Sequence, residues 1–389
     1  MKKKKIGIVS EYFYPHLGGV TEHVYYYSRE LIRRGFEVVL LTGYEGKKIE
    51  VELPPSLRII PIGKTIPIYS NHSFAKVTVG WNLGGKIKKI LEEEKFDLLH
   101  IHSPMMPILP LLFEKYTNTL TIGTIHTYFD SFGALFFYRL FRKGVQAYLN
   151  KLDGFIAVAP CCLESLDLFF HYSRDKLEII PNGVDTHWSE THSGRIDKYA
   201  DGTPNILFLG RLDPRNGLDL LLDAFPQVLK KVPKARLIVI GDGPLRSFYE
   251  KKASPFLGEN VFFEGQINDT RPEYFATSDV FCYPATKSAF SVTVLEAMAC
   301  GKPVVATENK GFCDMMQNGV NGILVEQGRA DKLAEALVQV LQDKNLAKKL
   351  SDNGREMIRN YSWETITDRV LAFYDKISLQ KRGVPFIER

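Results

Sequence analysis

The chain has no apolar run long enough to span a bilayer. It has no Asp-x-Asp pair to hold a metal on a diphosphate, so no metal site is expected. It also lacks the spaced glycines of a dinucleotide fingerprint, which argues against a nicotinamide-dependent oxidoreductase. Cysteine is scarce: five in 389 residues, an odd number, in apolar settings and without metal-ligand spacing. That excludes a disulfide framework and a cysteine zinc site, and it suits a reducing cytoplasm. The basic start, MKKKK, is followed by IGIVSEYF without a small-residue cleavage site. It reads as a strand with a solvated end, not as a signal peptide.

An apolar content of 45% and a charged content of 24% are those of a globular chain, and the length predicts two domains. Charge is unevenly placed. Residues 1–180 hold 23 Lys/Arg and 18 Asp/Glu, whereas the remainder holds 27 of each. The whole excess of +5 therefore lies in the first half. It suits an anionic lipid surface or substrate, and an excess this small is also compatible with no partner at all. No nucleic-acid partner is expected.

Strand and helix alternate along both halves, the pattern of doubly wound parallel sheets. In the first half, KIGIVSE is a strand, followed by the loop Tyr14 to Val20 with Gly18-Gly19 and a helix from Thr21 to Arg34. Two glycines at a helix start let backbone N–H groups approach an anion, and an ordinary tight turn has the same sequence. Residues 58–79 alternate as short strands. Trp81 and the cluster Lys86, Lys88, Lys89 then give either a solvated helix face or a membrane-touching one. HIHSP and TIHTY end two further strands, so His102 and His126 stand where ligands bind in open α/β sheets. A strand-end histidine is also often structural. The segment Asp130 to Asn150 is rich in Phe and Tyr, including Phe132, Phe136, Phe137, Phe141 and Tyr148. It reads as an amphipathic helix and a second candidate for lipid contact. The polar run Thr186 to Pro204 reads as a linker.

The second half is organised around Phe281 to Ala306, FCYPATKSAFSVTVLEAMACGKPVVA. A strand ends near Tyr283, a polar loop follows, and a helix runs from Phe290 to Cys300, closed by Gly301 and Pro303. Glu296 is a lone carboxylate in that apolar helix. Helix statistics alone make it a partly exposed residue. A final amphipathic helix starts at Trp363.

The ordered set GGV, HIHSP, IHT, IPNGVD, LFLGRLD, IGDGP, FFEGQ and LEAMACGKPVVA spans almost the whole chain. It resembles the retaining family-4 glycosyltransferases of the GT-B fold, most of all the phosphatidylinositol mannosyltransferases. The resemblance implies an α/β fold with two Rossmann-like parallel-sheet domains facing across a cleft. These would be an acceptor-binding domain over 1–182, a donor-binding domain over 183–362, and a helix over 363–389 that crosses back. It implies a nucleotide-sugar substrate, GDP-mannose, a lipid acceptor such as phosphatidylinositol, no cofactor and no metal, at the cytoplasmic face of a membrane. Carried over by position, Arg211 binds the diphosphate, Glu296 binds ribose, and His126 is the catalytic histidine beside the donor sugar. Gly18, Gly19, Arg215, Asn216, Gly241, Ser288, Phe290 and Ser291 fall on the donor side; Tyr12, Thr21, His102 and Thr127 fall on the acceptor side. Three positions depart from the family pattern. Asn216 stands for a second diphosphate Lys, Ser288 for a Glu on the donor sugar, and Ser291 for a turn Gly. Two alternatives stay open: a transferase with a soluble acceptor and another nucleotide sugar, or a donor-binding protein of low activity.

Overall fold

Six residues, Lys5–Ser10, form β1, and its alternate faces are both covered: Ile6, Ile8 and Val9 are all fully buried. A strand so placed must lie inside a sheet with helices on both sides. The computed structural model describes all residues except 1–2, 17, 45–48, 50, 71–72, 129–135, 137–138, 187–193, 268–269 and 388–389. The chain divides into two units, Met1–Gly183 with Trp363–Arg389, and Val184–Ser362.

In the first unit β1 pairs in parallel with β2 (Glu37–Tyr44) on one side and β5 (Leu98–His102) on the other. The sheet continues outward through β3 (Arg58–Ser70) and β4 (Ser73–Val79) on the first side. On the second it continues through β6 (Leu120–Ile125), β7 (Gly154–Ala157) and β8 (Leu177–Ile179). The pair β3 and β4 is antiparallel, so the expected short strands of 58–79 are one long edge hairpin on an otherwise parallel sheet. Trp81, just beyond the hairpin, is 92% exposed.

The helix Gly19–Arg33 buries Val24, Tyr27, Ser28 and Leu31, one stripe at helical spacing. The helix Trp363–Arg382 packs into the same core through Ile366, Val370, Phe373, Tyr374 and Ile377. It belongs to this unit although it follows the second one in sequence. A buried polar chain ties it in. His100, in β5, meets Thr124 Oγ1 at 2.5 Å through Nε2 and the Tyr374 hydroxyl at 2.6 Å through Nδ1. Tyr374 in turn meets the Tyr27 hydroxyl at 2.7 Å. Every member has a partner, which is the condition for keeping polar groups in a core.

In the second unit β9 (Asn205–Leu209) is flanked by β10 (Arg236–Ile240) and β12 (Val280–Tyr283). β11 (Val261–Gly265) lies beyond β10, and β13 (Val304–Thr307) and β14 (Ile323–Val325) lie beyond β12. The pairings of this sheet are parallel.

Two expectations need correction. The described part of the supposed linker, 194–204, is packed onto the second unit. Tyr199 is fully buried, its carbonyl accepts from Asn205 Nδ2 at 2.9 Å, and the Ile196 N–H donates to Thr277 Oγ1 at 2.8 Å. One aromatic ring and a few hydrogen bonds anchor a stretch with little apolar content. In the expected aromatic helix of 130–150, the described residues Phe136, Arg139 and Leu140 are helical, and a turn at Phe141 leads into the helix Arg142–Lys151; Tyr148 and Leu149 are buried, whereas Phe136 and Phe141 are exposed. Phe132 and Phe137 lie outside the described residues. Cys313 is exposed, not in an apolar setting.

His100 gives the fold a pH dependence. Burial pushes its imidazole down to about 3, and His23 is pushed down to about 4, against an ordinary value near 6.5. The unfolded chain therefore takes up protons that the folded chain refuses. This contribution is intact above pH 6.5 and is lost as pH falls from 6.5 toward 3. Each such site weakens folding by about 1.4 kcal/mol per pH unit within that window. Urea unfolding at pH 7, 6 and 5 should show a midpoint that falls at each step; an unchanged midpoint would contradict the buried neutral imidazoles.

Candidate active site

In each sheet the first strand lies inside, and the chain builds outward first to one side and then to the other. The switch points are therefore β1/β5 and β9/β12. At such a point the helices that follow neighbouring strands diverge and leave a crevice beyond the carboxyl ends. All the residues singled out from the sequence lie at or just beyond strand carboxyl ends or in the helices that follow.

At the first edge, Ser10 Oγ donates to the Tyr12 carbonyl at 2.7 Å and accepts from the Tyr12 N–H at 3.0 Å, which turns the chain out of β1. The Tyr12 hydroxyl accepts from the Lys76 N–H at 3.3 Å. Gly18 and Gly19 are exposed, and a Cβ added to either would meet no atom within 4 Å. Packing within the unit therefore does not require glycine there. No side chain caps the helix that starts at Gly19, so its first N–H groups remain available to an anion. Thr21 is fully buried, and its hydroxyl has no partner among the described residues.

Three imidazoles meet behind this turn. His102 Nδ1 lies 2.9 Å from His126 Nε2, with the rings nearly parallel at 23°. The His23 ring stands 4.9 Å from that of His126 and 5.1 Å from that of His102. His23 and His102 are buried; His126 and its neighbour Thr127 are half-buried. Burial, reinforced by His23 and His100, holds the His126 imidazole well below its ordinary range. At neutral pH it is an uncharged hydrogen-bonding group. The sequence reading missed His23, although it lies one turn before Tyr27 on the helix's buried face. It also missed Glu11, which is buried, accepts from the Thr78 hydroxyl and is pushed up to about 7 by burial.

At the second edge the loops after β9, β10 and β12 touch backbone to backbone. Gly217 has φ +76°, and a Cβ there would lie 1.9 Å from the Pro284 carbonyl oxygen. Gly241 has φ +136°, and its Cβ would lie 2.0 Å from the Gly210 oxygen. Only glycine allows both the angle and the approach. The Thr286 N–H donates to the Arg215 carbonyl at 2.9 Å, linking the loop after β12 to the one after β9. Arg211 and Arg215 sit on this second loop, both half-buried. Both guanidiniums draw down the carboxyl of Asp213 between them, although burial has the larger effect and leaves it raised.

Asn216 is turned inward. Its Nδ2 donates to the Arg211 carbonyl at 2.7 Å, and its Oδ1 accepts from the Tyr283 hydroxyl at 2.9 Å. Its side chain is thus committed to bracing the arginine loop. Ser291 caps the helix Val292–Ala299, its Oγ accepting from the Val294 N–H at 3.4 Å. The Ser288 carbonyl accepts from the Gly311 N–H at 3.2 Å, and the ring of Phe290 lies 6.1 Å from that of Tyr361. Glu296 is only 2% exposed, unlike the partly exposed position that helix statistics alone suggest. Its partner is Arg271, at 3.3 Å and itself largely buried, which the sequence did not single out. A separate cavity of about 260 Å³ opens at the opposite, amino-end edge of this sheet, beside Asn205, Asp279 and Lys302; none of the singled-out residues lines it.

Comparison with known proteins follows this division. The family described as Glycosyltransferase Family 4 matches residues 17–188, and that described as Glycosyl transferases group 1 matches residues 195–357. Phosphatidyl-myo-inositol mannosyltransferase of Mycolicibacterium smegmatis is 31% identical over 381 residues, 96% of this chain and 94% of that protein. Among solved structures, sucrose-phosphate synthase from Thermosynechococcus elongatus superposes with a TM-score of 0.73 at 21% identity, covering 97% of this chain and all of that one. An Anabaena protein in complex with UDP and glucose gives 0.75 at 17% identity, covering 94% and 98%. No helix among the described residues is long and apolar enough to cross a membrane. The chain belongs to the GT-B glycosyltransferases of the group 1 and family 4 type.

Proposed function

We propose that the protein transfers mannose from GDP-mannose, with retention of configuration and without a metal, to an inositol phospholipid. The observation that carries this reading is the near full-length likeness to a phosphatidyl-myo-inositol mannosyltransferase. Two arginines at one switch point and a neutral histidine at the other support it.

In this reading Arg211 holds the diphosphate, where a planar guanidinium matches phosphate oxygens. Arg215, on the same loop, takes the place of the missing Lys, because Asn216 is spent on the Arg211 carbonyl and Tyr283. Together they stabilise the leaving nucleotide, a contribution often worth about 3–4 kcal/mol per donor. Glu296 receives the ribose hydroxyls, with Arg271 orienting the carboxylate. His126 steadies the transferred sugar as an uncharged partner. Gly18 and Gly19 leave room for the acceptor at the start of their helix, with Tyr12, Thr21, His102 and Thr127 around it. In this reading the first unit meets an anionic membrane that carries the lipid acceptor, a step supported by the exposed Trp81 and the neighbouring lysines.

Donor binding and turnover separate these roles. Arg211→Ala should weaken GDP-mannose binding by at least a hundredfold in calorimetry, and Arg215→Ala by about tenfold. Wild-type affinity in Arg215→Ala would leave the leaving diphosphate with one cation. His126→Ala should keep donor affinity within a few-fold while transfer to phosphatidylinositol vesicles falls by at least a hundredfold. Normal turnover in that variant would remove His126 from the reaction. Tight donor binding by the wild-type protein without any transfer would favour a binding protein over an enzyme.

A further inference from the structure

His100 and His102 are stacked in the same strand, with ring centres 4.3 Å apart. They differ in one respect. Both ring nitrogens of His100 have partners, Thr124 and Tyr374. His102 Nε2 is buried and has no hydrogen-bond partner among the described residues. A buried N–H without a partner is rare and costly, whereas a bare lone pair is tolerated more readily. The proton of His102 is thus best placed on Nδ1, donated to His126 Nε2, which leaves the Nε2 lone pair of His102 unspent.

His23 carries a second unspent lone pair. Its Nδ1 lies 2.8 Å from Asn182 Oδ1, and an amide oxygen only accepts, so Nδ1 holds the proton and Nε2 is bare. An imidazole that gives its N–H to a carbonyl-type oxygen while offering its other nitrogen is the usual arrangement of a metal-binding histidine. The third member, His126, is half-buried. One ligand atom of each of His23, His102 and His126 lies within 4.8 Å of the others, and among the described residues this is the one such group of three.

We propose that His23, His102 and His126 form a binding site for a single late first-row divalent cation, such as Zn²⁺, Co²⁺ or Ni²⁺. Three imidazoles with no carboxylate among them favour these ions over Mg²⁺ or Ca²⁺. Metal–nitrogen bonds of about 2.0–2.1 Å call for ligand atoms roughly 3.3 Å apart in a tetrahedron, so side-chain rotations of up to about 1.5 Å close the site; they also break the hydrogen bond from His102 Nδ1 to His126 Nε2, which frees the His126 lone pair as the third ligand. The fourth position of a tetrahedral ion is left to water or another small ligand. A bound ion takes His126 away from the sugar, so the metal switches transfer off; this consequence, unlike the site, rests on the function proposed above.

The full chain, made without a polyhistidine tag and stripped with a chelator, is titrated with Co²⁺ and followed by visible absorption and calorimetry. The expected result is one ion per chain with the strong bands of a four-coordinate centre, and binding at least tenfold weaker in His23→Gln. X-ray absorption of the wild-type protein loaded with one Zn²⁺ should show three imidazole ligands, which keeps the test sound if the variant misfolds. Fewer than three imidazoles, or unchanged affinity in a folded His23→Gln, would overturn the site. Donor affinity should persist in the Zn²⁺-loaded protein while transfer stops. A three-imidazole site that leaves transfer intact would keep the metal site and remove His126 from the reaction.

Discussion

Parallel strand pairing on both sides of one interior strand is the constraint from which the rest follows. A parallel neighbour cannot be reached by a tight turn, so each strand is followed by a crossover that returns the chain to the same end of the sheet. When the chain builds outward from β1 to β2 and later starts again at β5, successive crossovers cover opposite faces. The same happens around β9. The carboxyl ends of these strands are then the places where loops diverge and polar groups can face a ligand. Tyr12, His102 and His126 lie at one such edge and Arg211, Asn216 and Ser288 at the other because the ladder leaves them nowhere else.

Each edge is held by a different kind of force. At the second, glycine contacts let backbones touch, and Asn216 and Ser291 spend their side chains on loop and cap hydrogen bonds. The loop carrying Arg211 is therefore braced through its backbone by Asn216. At the first edge the force is burial of polar rings. His100, Tyr374 and Tyr27 form a satisfied chain that joins the central sheet, the helix beginning at Gly19 and the last helix. The last helix thus completes the first unit's core, and the two units are not independent stretches of sequence.

Much of this was legible in the residues. Apolar runs such as KIGIVS and NILFLG identify strands covered on both faces, and the placement of His102, His126 and Arg211 just after such runs locates both edges. The block around Glu296 was legible as strand, loop and helix. What was not legible depended on contacts distant in the chain. Asn216 read as a lost cation, but it serves Arg211 and Tyr283, the latter 67 residues away. Helix statistics alone would leave Glu296 partly exposed, because its ion-pair partner Arg271 comes from another helix and leaves no local signal. His23 was overlooked because nothing near it in sequence marks the imidazoles it would join. The stretch 194–204 read as a linker because a single buried Tyr199 leaves no periodic signal.

Local order of polar and apolar residues determined the alternation of strands and helices, the two-part organisation and the family, since each depends on short-range pattern and on motifs read in order. Only the tertiary structure decided which side chains are spent internally and which remain for chemistry. That outcome depends on burial and on hydrogen-bond partners brought together across as many as 347 residues, as Tyr27 and Tyr374 are. A sequence states what a residue can donate or accept; the fold determines what is left once its neighbours have been satisfied.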